Sequence, residues 1–250
     1  MSKKLDSQVS SYTASFPHFE ENRIVHFSYG HRIAEYVRQV EAAGVLSLGI
    51  GHSEVARPLV ECLRTGQLRR YAIVDASHGL VEAFRDDLAP TPTGLELIEG
   101  WFESFETEGV FDVIEAGFVL EHVDDPAIVL RRMHRFLAPG GRMFIAVPNA
   151  CSLHRLIGFR AGLLRDMYAL SDADRALGHQ RYFDLPKLQA LVSSTGWRLV
   201  EARGMLLKPF TTGQMNQLAL PPSVWSALQA VAADYPEISN AIQLEVVAAE

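Results

Sequence analysis

The sequence predicts a doubly wound α/β domain, a mostly parallel sheet with helices on both faces. Three observations predict it. Short apolar runs of strand length alternate with amphipathic stretches of helix length, which calls for a parallel sheet covered on both sides. The first apolar run, Val45-Leu46-Ser47-Leu48, ends in Gly49-Ile50-Gly51. The second, residues 71–74, ends in Asp75, 24 residues after Gly51.

The elements follow in order. Residues 1–30 read as an N-terminal arm or lid, polar to about residue 22 with Tyr12, Phe16 and Phe19 scattered through it. Residues 31–250 read as one domain. Ile33, Tyr36, Val37 and Val40 share one face of a first helix, with Gly44 as its stop. After the first strand a helix is expected over 54–65, where Pro58 is awkward outside the first turn. Residues 80–88 form the next helix, and 95–98 and 111–115 the third and fourth strands. Asp125-Pro126 opens a helix to Leu137, because Asp caps and Pro suits the first helical position. Pro139-Gly140-Gly141 is a turn before a strand over 142–147. A helix over 184–194, a strand over 198–202 and a last strand over 243–248 complete the series. Two stretches, about 151–182 and 208–241, are too long for plain connections. Both follow strands whose ends face the expected ligand crevice, so they read as insertions that shape a pocket.

Composition bounds the function. The 250 residues are 48% hydrophobic and 21% charged, ordinary for a chain that buries a core. A net charge of −7 argues against an electrostatic grip on nucleic acid or anionic membrane. Cys62 and Cys151 stand far apart with no zinc spacing, so no metal site is expected from them. No apolar stretch follows the basic N-terminus, so a cytoplasmic location is expected.

Gly49 and Gly51 let the backbone turn tightly and approach a ligand. The helix N-terminus that follows favours negative charge. Asp75 is placed to accept both hydroxyls of a ribose. A dinucleotide site would want glycine at position 54, where Glu54 stands and repels a pyrophosphate. A ligand with a ribose and no phosphate fits better.

The run from Phe111 through Glu115-Ala116-Gly117-Phe118 to Glu121-His122-Val123-Asp124-Asp125-Pro126 resembles the fourth motif of class I S-adenosylmethionine-dependent methyltransferases. It is most similar to the ubiquinone-biosynthesis-like small-molecule branch. The segment from Leu137 to Asn149 resembles that family's next motif, and residues 178–183 carry a weaker echo. The resemblance implies a Rossmann-like methyltransferase fold, seven strands with the last antiparallel, and S-adenosylmethionine as cofactor. It implies that Gly49 and Gly51 lie under the methionine and ribose portion, that Asp75 holds the ribose, and that Ala76 and Ser77 flank the adenine. Many members carry Gly-Asp where Gly100-Trp101 stands here, so Trp101 and Phe102 are expected to wall the adenine instead. Ala116 and Gly117 would approach the sulfonium. Many members also carry an acid where Ser47 stands and a glycine where Ser53 stands.

Methyl transfer needs the acceptor held on the methyl axis with water excluded. A hydroxyl or protonated amine acceptor also needs a base, for which histidine suits neutral pH. The candidates are His179, His154 and His122, with His26 and His31 behind them. Each has a structural alternative, such as a helix-start residue for His122 or a hydrogen-bonded turn for His179. Arg181 and Tyr182 are expected to bind the acceptor. The expected activity is methyl transfer to a small molecule, on oxygen before nitrogen. A protein or peptide methyltransferase, or a non-catalytic module binding S-adenosylmethionine, stands as the alternative.

Overall fold

A computed structural model gives the fold; it describes residues 19–51 and 53–249. The expected lid over residues 1–18 lies outside these. Helix α1 spans Phe19–Gln39, followed by β1 (Gly44–Leu48), α2 (Ser53–Arg64), β2 (Arg70–Asp75), α3 (His78–Asp87), β3 (Leu95–Glu99) and β4 (Phe111–Gly117). Then come α4 (Pro126–Met133), β5 (Leu137–Pro148), α5 (Leu153–Arg160), α6 (Asp172–Ala176), α7 (Leu185–Ser194) and β6 (Trp197–Met205). Helices α8 (Thr212–Gln217) and α9 (Pro222–Ala232) precede β7 (Ala241–Ala248).

The seven strands lie in the order β3-β2-β1-β4-β5-β7-β6. All neighbours are parallel except β7, which is antiparallel to both β5 and β6. Strand order reverses between β1 and β4, and that crevice is where a ligand can enter above the strand ends. One face is covered by α1, α2 and α3, with Tyr29, Ile33, Val37, Leu59, Val81 and Phe84 buried against Val45, Ile73 and Val113. The other carries α4 and α7, with Leu130, Met133, Leu188, Val192 and Trp197 buried against Leu46, Ile114 and Ile145. Trp197 donates its indole N–H to the Leu130 carbonyl at 3.0 Å, so its one polar atom is satisfied inside this core.

Local chemistry explains most boundaries. Asp125 accepts from the Ala127 amide at 2.8 Å and starts α4. Asp184 does the same for α7 through Lys187 N at 2.7 Å, and Gly196 at φ 86° ends that turn. Several expectations are corrected. Helix α1 is continuous across residues 30 and 31, so no arm boundary falls there. Its end is at Gln39, short of Gly44, because Glu41 takes the left-handed conformation and Val40 is left exposed. Helix α4 stops at Met133, not Leu137, and β5 starts at Leu137. Pro139-Gly140-Gly141 is an irregularity inside that strand, where the register to β4 shifts between Phe111 and Val113. Pro58 sits inside α2, beyond its first turn. It cannot donate to the Glu54 carbonyl, and that carbonyl faces Gly30 of α1, where a Cβ would come within 2.7 Å. The missing side chain lets the two helices close over the interruption.

Candidate active site

Above the β1/β4 crevice lies a cavity of about 1190 Å³. A drug-sized ligand fills some 300–1,000 Å³, so there is room for a cofactor and an acceptor together. Its floor is the glycine loop. Gly49 has φ 88° and Gly51 φ 46°, conformations that suit glycine. No heavy atom lies within 4 Å of where a Cβ of Gly51 would stand, so the loop opens to the cavity. Phe102 comes over Gly49, its Cζ 3.8 Å from the corresponding point.

Asp75 ends β2 and ties the floor together. Its Oδ2 accepts from the Ile50 amide at 2.9 Å, and its Oδ1 from the Ser77 amide at 2.8 Å. Burial raises its pKa, and the two amides oppose that rise. Each oxygen keeps a second lone pair for a hydroxyl. Ser77 caps α3 through Leu80 N at 3.3 Å. Ala76, Ser77, Trp101, Phe102 and Gly117 all line the cavity, and Trp101 is 47% exposed at its rim. Ala116 does not line it. Its side chain points into the opposite core, because successive strand residues alternate faces.

The far wall comes from the first insertion and the β4–α4 loop. His122 and His179 meet edge to face with ring centroids 4.7 Å apart. His179 Nδ1 lies 3.3 Å from Asp174 Oδ1, at ion-pair range without a formed hydrogen bond. Asp174 is fixed by Tyr182 OH at 3.0 Å and by the Ser171 amide and hydroxyl at 2.7 and 2.6 Å. Burial opposes its charge, yet His179, Ser171 and Tyr182 hold it well below the usual carboxylate range. Burial likewise works against a charged His179, but Asp174 and Glu121 outweigh it and raise the pKa. Burial, helped by His179, pushes His122 down to about 4. Glu121 is buried with both carboxylate oxygens lacking a hydrogen-bond partner, and burial raises it to about 7. Glu121, His122 and His179 each present a ligand atom, all within 4.8 Å of one another, a spacing that suits a divalent cation.

His154 lines the same cavity but stands apart from this group, beside the Ser152 hydroxyl at 3.2 Å. Arg181 is corrected. Its guanidinium donates to the carbonyls of Leu120, Val123 and Asp124 and to Gln180, so it braces the β4–α4 loop and does not line the cavity. Its donors are spent on backbone oxygens that α4 leaves outside its ladder. Tyr182 does line the cavity, with Arg155 stacked on its ring at 4.3 Å.

Another part of the lining is a buried cluster that sequence reading missed. Lys208 Nζ donates to Glu21 at 2.6 and 2.7 Å and to Thr212 Oγ1 at 3.0 Å, while Asn240 Nδ2 donates to Glu21 at 2.9 Å. It joins the first turn of α1 to the second insertion.

A family model described as a methyltransferase domain matches residues 19–202. The chain belongs to that family, and its class is that of the S-adenosylmethionine-dependent methyltransferases. It is similar to the ubiquinone biosynthesis O-methyltransferase of Xanthomonas oryzae pv. oryzae, at 29% identity over 106 residues, 42% of this chain and 43% of that one. It is also similar to the Pseudomonas aeruginosa protein of the same name, at 48% identity over 44 residues, 18% of this chain and 19% of that one. The match thus spans less than half the length of these curated relatives. Among solved structures, a possible histamine N-methyltransferase from Thermotoga maritima shares the fold at TM-score 0.61 and 17% identity, over 98% of both chains. So does the magnesium protoporphyrin IX methyltransferase of Synechocystis with bound SAH, at TM-score 0.62 and 12% identity, over 99% of this chain and 95% of that one.

Proposed function

We propose that this chain transfers the methyl group of S-adenosylmethionine to an oxygen of a small molecule, with His179 as the base and Asp174 as its positioning partner. The single observation that carries this is the meeting of the glycine loop and the His179–Asp174 pair on one cavity beneath the first insertion. The cofactor supplies a methyl group on a sulfonium, activated for in-line displacement. The residues present fit it. Gly49 and Gly51 leave space beneath its methionine and ribose, Asp75 has lone pairs for the ribose hydroxyls, and Trp101 and Phe102 offer flat faces beside Ala76 and Ser77 for the adenine. Gly117, which lines the cavity, would be the residue of β4 nearest the sulfonium. His179 takes the acceptor proton as the oxygen–carbon bond forms, and Asp174 stabilises the imidazolium that results. Its contact with Asp174 is expected to tighten once the acceptor is bound.

Incubation with labelled cofactor and a panel of phenols, sugars and amines, beside a no-acceptor control, tests the acceptor class. Methylation of peptides alone would overturn it. The pH profile tests the base. A base must be neutral, so kcat/KM should rise with pH through a value above the ordinary 6.5 of histidine, because Asp174 and Glu121 raise His179. A rise near pH 4 and a plateau beyond it would assign the proton to His122 instead.

The Glu121–His122–His179 spacing favours a second reading, in which a divalent cation binds there and lowers the pKa of the acceptor hydroxyl. Activity abolished by a chelator and restored by one metal ion would support it over the metal-free base.

A further inference from the structure

We propose that Glu115 is the carboxylate that receives the α-ammonium group of the cofactor's methionine portion. The inference rests on the cofactor reading above and adds a residue that reading leaves unused.

Glu115 lies on β4 at the crevice where strand order reverses, directly across the rung from Ser47 of β1. Its side chain is 3% exposed and lines the cavity beneath the glycine loop. One oxygen, Oε1, accepts from the Gly117 amide at 2.6 Å. The hydroxyls of Ser47 and Tyr29 also act on the carboxyl. Among the described residues these partners are all neutral, with no cationic side chain among the groups that act on it. A buried carboxylate held only by neutral donors is costly in its charged form. It becomes favourable when a cation arrives with a ligand, and the cofactor is cationic at both its sulfonium and its ammonium.

The cofactor reading selects the ammonium, because it lays the methionine portion over Gly49 and Gly51 at the end of β1, the strand whose Ser47 pairs with Glu115. Gly117, two residues on, has no room for a Cβ: it would stand 2.8 Å from Glu115 Oε1 and 2.2 Å from Tyr29 Cε1. The β4 backbone is therefore packed tightly on the carboxyl, and the end of β1 frames its other side. Ser47 offers no charge of its own and shares a 3.0 Å contact with Tyr71 OH. Among the described residues the fixed charge of this corner comes from β4, at the floor of the crevice where the amino-acid end would be seated beside the loop. Burial pushes the empty carboxyl up to about 7, so an arriving ammonium must draw it into the ionised form. The titratable groups facing it are Tyr29 from α1 and Tyr71 from β2, phenols that burial keeps neutral through this range.

Titration calorimetry of the full chain with S-adenosylhomocysteine and 5′-methylthioadenosine tests this, since only the first carries the ammonium. Glu115→Gln should weaken S-adenosylhomocysteine at least tenfold and change methylthioadenosine less than twofold. In the native chain S-adenosylhomocysteine should bind more tightly as pH rises through about 7 and should release protons below it. Both effects should vanish in Glu115→Gln. Adding Ser47→Asp to Glu115→Gln returns a carboxylate to the same rung and should restore part of the lost affinity, which a merely structural role would not allow. Equal weakening of both ligands, or no change in either, overturns the proposal. So does a loss confined to S-adenosylmethionine itself, which would assign the carboxylate to the sulfonium. Failure of both ligands to bind the native chain would instead overturn the cofactor reading, and the proposal with it.

Discussion

The floor of the cavity and its roof are built by opposite means. The floor joins the ends of neighbouring strands, and its key contacts are backbone amides on Asp75, 2 and 25 residues away in sequence. The roof joins residues as distant as Glu21 and Asn240, 219 apart, and its contacts are buried charges. Short-range backbone geometry tolerates many side chains around it. Buried charge pairs tolerate almost none, because removing one partner strands the other. The floor can therefore serve a whole class of enzymes, and on the proposed reading the roof would be where the acceptor is chosen.

The largest expected effect lies on the roof side. His179→Ala should lower turnover by about 10²–10⁴-fold with cofactor affinity unchanged, as measured by single-turnover kinetics beside calorimetry. A folded, fully active variant would move the search to His122 and His154. Next, Lys208→Ala should cost about 3–5 kcal/mol of stability, because it breaks a buried ion pair by removing the ammonium that donates to Glu21. Thermal melts would show the loss, and the double change Glu21→Gln, Lys208→Met should recover much of it. On the floor, Asp75→Ala should weaken S-adenosylhomocysteine binding by about 1.5–3 kcal/mol. Unchanged affinity in a folded variant would remove Asp75 from the site and erase the contrast. The smallest effect is assigned to Arg181→Lys, which should cost about 1 kcal/mol of stability and leave KM alone. A raised KM would show that the guanidinium reaches the acceptor after all.

The same contrast governs how much was legible. The mostly parallel, doubly covered sheet follows from alternation of apolar runs and amphipathic helices, and Gly49, Gly51 and Asp75 sit where strand ends must put them. Trp101 and Phe102 could be placed only through the family resemblance. Ala116 went wrong by one residue, since a strand shows alternate side chains to opposite faces. Arg181 went wrong because a lone arginine near a pocket looks alike whether it meets a ligand or carbonyls. Glu115 left a readable sign, an acid between the apolar Ile114 and Ala116 of a buried strand, but its Ser47 neighbour depends on register between distant segments. Glu21, Lys208, Thr212 and Asn240 left none, for nothing in their local patterns says that they meet. Asp174 is similar: its Ser171 cap is local, but its approach to His179 depends on how the insertion folds back.

The Glu21–Lys208–Asn240 cluster also bears on how the protein is made. Chains emerge from the ribosome N-terminus first. The first turn of α1 must then wait for Lys208 and Asn240 before its carboxylate gains these two donors. Strand β7, which starts at Ala241, must likewise slot between β5 and β6, which have by then been synthesised. A nascent chain halted near residue 200 would hold the glycine loop and Asp75 but an open, water-filled cavity. Such a fragment would be able to retain the cofactor well before it could use it, and full activity would arrive only with the last few dozen residues.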